Sequence, residues 1–296
     1  MEITSIITNE KIIPAVIAAF TTIVVFFLTL LTKNFIDTRI LSSKLETEHK
    51  FDQRKKIKEV LAKHKVHLLS AAEILNHRMW NFSKNHSKGW IDVQGDFLTE
   101  KYYLHSFAYR ILCLFTWINQ VQKDMIYLDT TIAQKEDLEF IKFLKIFPQI
   151  FCDLTFIEGQ NADGNYAVDH FFRNNFDELS RCLQGTNGLK SYDVFIEDLS
   201  PSDKNLIQLL KFLDGICPLE NRKRWDRLHC LNITLIIFLN NYGYDFQKTK
   251  TDKIKKILTI PKTSSLLKNY FDLFKEYNLD TNKEVKKVKK IAQKYF

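Results

Sequence analysis

The chain has 296 residues, a formal net charge of +8 and 45% hydrophobic residues. This length and apolar fraction suffice for one large or two small folded domains, each of about 100–200 residues. The five cysteines are odd in number and widely spaced, and no two form a CxxC pair. A disulfide framework or a zinc cluster is therefore not expected. We predict no metal site, no cofactor and a reducing compartment for the folded part of the chain.

The first predicted element is a transmembrane helix over residues 12–32. Its core, residues 12–31, holds no charged side chain, no amide side chain and no glycine. About twenty apolar residues cross a bilayer as a helix, and a helix closes its backbone hydrogen bonds internally, as hydrocarbon requires. A soluble protein with a buried hairpin helix is the alternative, but Thr29 is the single polar side chain in residues 24–31.

The flanks of this segment indicate a retained anchor and its orientation. Glu2 and Glu10 precede it, where a signal peptide would have a basic segment, and its core is longer than the about 7–15 residues of a signal peptide. Lys11 lies before the span, and four basic residues follow it: Lys33, Arg39, Lys44 and Lys50. Because positive charge marks the cytoplasmic side, we predict a single-pass cell-membrane protein. Its short N-terminal segment, residues 1–11, lies outside and its C-terminal domain is cytoplasmic.

Residues 33–56 form a predicted helical stalk. Charges of both signs alternate there with scattered apolar residues, and the segment has neither Gly nor Pro, as is typical of a solvated helix. A basic cluster, Arg54 to Lys58, is interpreted as a solvated face. On a straight helix it would lie about 35 Å from the end of the span. At physiological salt, electrostatic interactions are screened beyond about 8 Å, so the cluster would not interact with lipid headgroups.

A cytosolic all-α multi-helix bundle is predicted over residues 57–247. Its first helix has a seam at spacings of three and four: Ile57, Leu61, His64, Leu68, Ala71 and Leu75. His64 is interpreted as a hydrogen-bonded core residue, because beyond His67, three residues on, no nearby Cys or further His completes a metal set. Residues 81–95 are polar and form a predicted loop.

The clearest helix is predicted over residues 98–128, where eight successive apolar residues are separated by three or four positions. Its first turns carry polar side chains on two faces: His105, Tyr109 and Cys113 on one, and Tyr103, Ser106 and Arg110 on the other. Such a face suits an anionic ligand, although polar contacts between packed helices are the commoner use of these residues.

This block resembles helices of uncharacterised bacterial proteins. The resemblance lies in the aromatic start at Tyr102 and Tyr103, in Arg110 and Trp117, and in the run at 125–128. Those proteins are similar in layout, with one N-terminal membrane helix and a helical cytosolic region. The resemblance implies that arrangement here and no known activity.

Three further helices are predicted before the core helix. Residues 134–154 form one with a kink or break at Pro148, and residues 166–183 form another, with a salt-bridge ladder of Asp169, Arg173, Asp177 and Arg181. Residues 185–199 form a long connection with a short extended piece at 194–196. The third helix starts with Ser200 as its cap and Pro201 at its first position.

The core helix is predicted over residues 220–240 and begins with four basic residues: Arg222, Lys223, Arg224 and Arg227. A helix N-terminus is already positive, so an anion at this end would relieve the conflict. These four residues are the candidate anion-binding site, and the anion expected there is a phosphate or a nucleic acid. The alternative is pairing with nearby carboxylates, among them Asp198, Glu220 and Asp226.

The basic charge of the chain is concentrated in a predicted helical tail, residues 248–296. The tail holds 14 lysines and five acidic residues, a net charge of +9, which leaves the rest of the chain at 8 − 9 = −1. Helices are predicted over 264–277 and 282–296. The last is amphipathic, with six lysines around an apolar side: Lys283, Lys286, Lys287, Lys289, Lys290 and Lys294. They suit a solvated face, contact with anionic lipid, or contact with nucleic acid.

Two functions fit these features. The first is a membrane-anchored interaction or signalling protein, such as a component of a bacterial stress or antiphage system, whose helices pack into a homo-oligomer. The second is a membrane-tethered enzyme acting on phosphate esters or nucleic acid through the arginine cluster. The sequence favours the first, because it has no P-loop, GxSxG, HExxH or Rossmann glycine pattern.

Overall fold

The computed structural model describes residues 12–159, 164–185, 188–262 and 266–295. It is 74% helical, which confirms the all-α fold class. Within these ranges the strands are limited to one antiparallel pair, β1 (Gln184–Gly185) and β2 (Gly188–Leu189), in which Gln184 lies opposite Leu189. The predicted N-terminal segment, residues 1–11, and the predicted helix ends at Ser264 and Phe296 lie outside the described residues.

Ten α-helices lie in the described ranges. They are α1 (Ile12–Asn85), α2 (Tyr102–Asp124), α3 (Lys135–Cys152), α4 (Arg173–Leu179), α5 (Tyr192–Glu197), α6 (Lys204–Leu213), α7 (Arg224–Tyr242), α8 (Thr251–Leu258), α9 (Leu267–Glu276) and α10 (Lys283–Ala292). Short 3-10 turns connect several of them, at His86–Lys88, Thr130–Ile132, Thr155–Ile157, Gly164–Asp169 and Asp245–Gln247.

The chain divides into two compact units, Met1–Lys55 and Lys56–Phe296. In the described part of the first unit the chain is helical throughout, and it contains the segment predicted to span the membrane. That segment is long and apolar enough to cross a bilayer by length and composition, with a mean hydropathy of 2.5 over 18 residues. None of those 18 residues is buried in the protein.

The core of the second unit surrounds α7. Every residue from 224 to 239 is buried, as predicted for the central core helix, and α7 packs against α3 and α10. The ring of Phe238 lies 5.3 Å from that of Phe140 and 5.6 Å from that of Phe147. On another side, Phe82 of α1 contacts Trp225 at 5.8 Å between ring centroids. A helix that is apolar around most of its circumference has to be enclosed in this way.

Several local predictions differ from the structure. The predicted helix over 166–183 is a 3-10 segment followed by the short helix α4, and the predicted extended piece at 194–196 lies inside α5. Pro148 lies within α3, which continues to Cys152. The helix predicted to start at Ser200 is α6, which begins at Lys204. The side chain of Asp203 accepts a hydrogen bond from the backbone N–H of Leu206, so Asp203 and not Ser200 is its N-cap.

The basic tail belongs to the second unit and not to a separate appendage. Its last helix, α10, packs against α7, α8 and α9. The apolar side predicted from the sequence is buried at Val285, Val288 and Ala292, whereas Tyr295 beyond the helix is exposed. Asn282 begins α10 by accepting from the backbone N–H groups of Glu284 and Val285.

We predict that Val288→Asp lowers the free energy of unfolding by at least about 3 kcal/mol, because Val288 is fully buried and a carboxylate there has no partner. Lys286→Asp places the same carboxylate at an exposed position of the same helix and should change it by no more than about 0.5 kcal/mol. Urea unfolding of the detergent-solubilised protein, followed by tryptophan fluorescence, measures both. Equal stability of the two variants would contradict a buried tail helix.

Candidate functional site

The structure places the three arginines of the predicted anion site among the chain's own acceptors. Arg222 lies before α7 and binds the carboxylate of Asp169 with two nitrogens, one of them Nε at 2.9 Å. Lys223 is the N-cap of α7 and is partly buried. Arg227 is fully buried and donates to the carbonyl of Ile150. Burial lowers the pKa of Arg227 to about 10, so its guanidinium is still charged at neutral pH.

Arg224 makes more hydrogen bonds than the other basic residues of the predicted anion site. Its Nε and Nη2 donate to the carboxylate of Glu220 at 2.7–2.9 Å. Its Nη1 donates to three backbone carbonyls at 2.8–3.1 Å, those of Lys211, Phe212 and Asp214 at the end of α6. Arg224 therefore ties the start of α7 to the end of α6, where the carbonyls have no partner inside their own helix.

This arrangement is the internal pairing that the sequence offered as the alternative to an anion site. Glu220 is one of the carboxylates named there, Asp198 pairs with Lys190 at 2.8 Å instead, and Asp169 was not foreseen. Since Asp169 follows a loop about fifty residues earlier in the chain, its approach to Arg222 depends on tertiary folding. Binding of an external anion by this cluster stays a prediction, and it would have to displace these carboxylates.

Three tyrosines and one arginine, Arg110, line a cavity of about 330 Å³ between α1, α2 and α5. We call it the tyrosine pocket. Its lining consists of Ala71, Ile74, Tyr102, Ser106, Tyr109, Arg110, Cys113 and Tyr192. Small-molecule sites typically have volumes of about 300–1,000 Å³, so the tyrosine pocket lies at the small end of that range.

Two arginines converge on one serine at the edge of the tyrosine pocket. Arg78 of α1 donates from Nη2 to the hydroxyl of Ser106 at 2.9 Å, and its guanidinium lies 4.4 Å from the centre of the Tyr103 ring. Arg110 of α2 donates from Nη1 to the backbone carbonyl of Ser106 at 2.7 Å. Among the described residues, no carboxylate lies within 4 Å of either guanidinium. These two arginines thus lack the counter-charge that Arg222 and Arg224 have.

The tyrosines of the pocket respond to this positive charge in different ways. Hydrogen bonding to Arg110, together with the charges of Arg110 and Arg78, lowers the pKa of Tyr102. Burial raises the pKa of Tyr192, whose hydroxyl is enclosed and has no hydrogen-bond partner among the described residues. The hydroxyl of Tyr109 donates to the carbonyl of Lys190 at 2.8 Å. The ring of Tyr192 meets those of Tyr102 and Tyr109 edge-on, at 5.8 and 5.6 Å.

Sequence reasoning found one half of the tyrosine pocket. It placed Ser106 and Arg110 on one polar face of α2 and Tyr109 and Cys113 on another, with contacts between helices as the favoured role and an anionic ligand as the alternative. It missed Arg78, although Ala71, Ile74 and Arg78 follow the i, i+3, i+7 spacing of one helix face. It also missed Tyr192, because nothing in the sequence brings the connection after β2 beside α2.

The buried histidine His64 and the cysteines Cys113 and Cys152 have surroundings typical of structural residues. His64 is buried and its Nε2 lies 2.8 Å from the carboxylate of Asp124, which confirms the prediction of a hydrogen-bonded core histidine. In the part of the chain that the structure describes, no three His, Cys, Asp or Glu side chains are grouped so as to hold a metal ion. Burial raises the pKa of the Cys113 thiol to about 11 and that of Cys152 to about 12, so both are protonated at neutral pH.

The six lysines of the last predicted helix, residues 282–296, lie outside the hydrophobic core. Lys283, Lys286, Lys289, Lys290 and Lys294 are exposed, and Lys287 is partly buried and pairs with Glu284 at 3.2 Å. Because the apolar side of α10 is buried in the protein, these lysines present a charged surface without an adjoining apolar face. Contact with lipid or nucleic acid through them stays a prediction.

A larger cavity of about 580 Å³ lies between α2 and α3. Its floor is apolar, with Met125, Leu144 and Cys152 among its lining residues. Of its two cations, Arg173 pairs with Asp177 at 3.2 Å and Lys145 is exposed to solvent.

Comparison with known proteins gives no relative from which to transfer a site: no protein-family model, curated protein or solved structure matches this chain.

We predict that Arg224→Met lowers the free energy of unfolding by about 3–5 kcal/mol, because it leaves the Glu220 carboxylate buried without its guanidinium. The double variant Arg224→Met, Glu220→Leu should recover part of this loss, since it removes the uncompensated charge as well. Lys204→Met, at an exposed position, is the control. Chemical unfolding of the three variants gives the comparison, and a loss below about 1 kcal/mol for Arg224→Met would show that the contact contributes little.

We predict that the protein loses stability as the pH falls from about 6.5 towards 3, in part through His229. Burial, with a smaller contribution from the charge of Lys262, lowers the pKa of His229 in the folded state to about 3, and its Nε2 has no hydrogen-bond partner among the described residues. The unfolded chain, with a histidine pKa of about 6.5, binds the proton that the folded chain refuses, at a cost of about 1.4 kcal/mol per pH unit.

His229→Phe should therefore flatten the plot of unfolding free energy against pH over this window, whereas His49→Phe, at an exposed position of α1, should leave the slope unchanged. Urea unfolding at half-unit steps of pH measures the slopes. Parallel plots for the wild type and His229→Phe would mean that His229 takes up its proton in the folded state.

Proposed function

We propose that the chain is a single-pass membrane-anchored interaction or signalling protein whose helical domain lies in the cytoplasm. The observation that carries this proposal is the exposure of the apolar segment at the start of α1. Thirteen large apolar side chains between residues 12 and 31 are exposed, among them Phe20, Phe26 and Phe27. Each costs about 1.5–3 kcal/mol when it is left in water and not buried. A surface of this kind requires an apolar environment outside the protein.

The polar groups of the segment also suit hydrocarbon. Its three hydroxyls, on Thr21, Thr22 and Thr29, each donate to the carbonyl four residues earlier, at 2.7–2.8 Å. In a bilayer core such internal bonds remove the cost of an unsatisfied hydroxyl. With Lys33, Arg39, Lys44 and Lys50 after the span, the distribution of positive charge supports a cytoplasmic second unit.

A binding role is supported better than the alternative of a membrane-tethered phosphoesterase or nuclease. The arginines that such an enzyme would use as its anion clamp are occupied by Asp169 and Glu220. Burial raises the pKa of four of the cysteines, which is the opposite of what an activated nucleophile requires. The tyrosine pocket, by contrast, has Arg110 in its lining and Arg78 beside it on Ser106, and neither has a salt bridge to a carboxylate among the described residues.

The lipid bilayer is the partner that this proposal requires. Contact of the tail lysines with anionic headgroups is a second, electrostatic contact, because the apolar side of α10 is not available for insertion. A homo-oligomer and a role in bacterial stress or antiphage defence stay predictions of the sequence.

We predict that the intact chain remains with the membrane pellet after extraction with alkaline carbonate and is released by detergent. The double variant Val24→Arg, Phe27→Arg should shift most of the chain to the soluble fraction, because an arginine near the centre of a span costs about 2.5–3.5 kcal/mol. The variant Ile40→Arg, Leu45→Arg places the same charges in residues 33–56 and should leave the chain in the pellet. Immunoblotting of both fractions reads out the result, and release of the wild type by carbonate alone would refute the anchor.

A further inference from the structure

We propose that the tyrosine pocket binds a small phosphate monoester that carries a flat ring, with Arg78 and Arg110 holding the phosphate. This inference deepens the proposed function, since it names a ligand class for the cytoplasmic domain, and it rests on that proposal only for the site's place in the cell.

The two arginines set the charge of the ligand. Both guanidiniums contact Ser106, one through its hydroxyl and one through its carbonyl, so two positive charges from different helices lie beside one residue. Their mutual repulsion is not offset by a carboxylate within 4 Å among the described residues. A phosphate monoester carries a charge close to −2 and several acceptor oxygens, and guanidinium groups bind it through pairs of short, charge-assisted hydrogen bonds.

The nearest acids do not take this role. Burial is the main reason that the pKa values of Tyr192 and Tyr109 are raised, and the charges of Glu100 and Asp193, respectively, add to it. Among the described residues, neither acid forms an ion pair with Arg78 or Arg110. Each arginine instead uses one nitrogen on Ser106, and Arg110 also hydrogen-bonds Tyr102. A guanidinium has five N–H donors, so each retains donors for an external oxygen.

The remaining walls of the tyrosine pocket set the shape of the ligand. Ala71 and Ile74 of α1 provide an apolar side, and the rings of Tyr102, Tyr109 and Tyr192 provide aromatic surface. The Tyr192 ring is one of these walls, and its hydroxyl is enclosed by the protein. A cavity of about 330 Å³ has room for one ring system with its phosphate.

The test is isothermal titration calorimetry on the full chain in detergent micelles, with adenosine 5′-monophosphate, inorganic phosphate and adenosine as probes. We expect the monophosphate to bind, inorganic phosphate to bind more weakly because it lacks the ring, and adenosine to give no measurable heat. Absence of binding by both phosphate probes would overturn the proposal. Equal binding of adenosine and the monophosphate would overturn the role of the arginines.

Arg78→Gln and Arg110→Gln should each weaken binding of the monophosphate at least tenfold, whereas Arg181→Gln, at an exposed position outside the tyrosine pocket, should leave it unchanged. Tyr192→Ala removes one aromatic wall of the tyrosine pocket, so it should weaken the monophosphate severalfold without weakening inorganic phosphate. Thermal melting of each variant in the same detergent establishes that it is folded. If both arginine variants retain binding within twofold of the wild type, the phosphate is held elsewhere and the proposal is wrong.

The membrane anchor and the phosphate-monoester ligand can be refuted independently of each other. Binding in micelles does not depend on whether the chain is anchored in a membrane, and carbonate extraction does not depend on the tyrosine pocket. A chain that binds the monophosphate but is released by carbonate would refute the anchor alone, and the reverse result would refute the ligand alone.

Discussion

The enclosure of α7 is the constraint on which the rest of the second unit depends. Its first sixteen residues are all buried, so other helices have to cover it on every side. The N-terminus of α7 adds a second requirement, because Arg224 and Arg227 carry positive charge into the interior at the positive end of the helix dipole. A buried charge has to be paired or hydrogen-bonded. The carboxylate of Glu220 and the carbonyls at the end of α6 and α3 meet that requirement, and in doing so they fix where these elements end relative to α7.

Two pairs of arginines therefore differ in what their surroundings supply. Arg222 and Arg224 are matched by carboxylates of the same chain, and their role is to hold elements together. Arg78 and Arg110 are matched by a serine and by aromatic rings, which accept hydrogen bonds or stack but carry no negative charge. Cationic groups without a counter-charge beside a cavity are a more specific indication of an anionic ligand than a run of basic residues in the sequence.

The tail shows the same dependence on context. A basic amphipathic helix in isolation is typical of a segment that inserts its apolar side into a membrane surface. Here Val285, Val288 and Ala292 are buried against the protein, so that side is already used. In contrast, none of the 18 residues in the apolar window at the start of α1 is buried. The two segments both look suited to membranes, yet the structure leaves only the first with an exposed apolar surface.

Local information in the sequence determined the all-α class, the apolar segment at 12–31, the seam of α1, the heptad-like face of α2 and the buried core helix. All of these follow from composition and periodicity, which act over a few helical turns. It also anticipated that His64 would be a hydrogen-bonded core residue. Boundaries were less accurate where short-range signals competed: Ser200 and Pro201 form a plausible helix start, but the side chain of Asp203 caps the helix.

Only the tertiary structure decided which charges meet. Asp169 and Arg222 are separated by a loop and three helices, and Arg78, Ser106 and Tyr192 come from three different helices. Such pairings depend on how whole helices pack around α7, and no local pattern records that packing. The sequence thus determined which segments are helical and which faces are apolar, while the fold decided which arginines are neutralised and which remain beside an open pocket, because electrostatic pairing acts between residues that are near in space and distant along the chain.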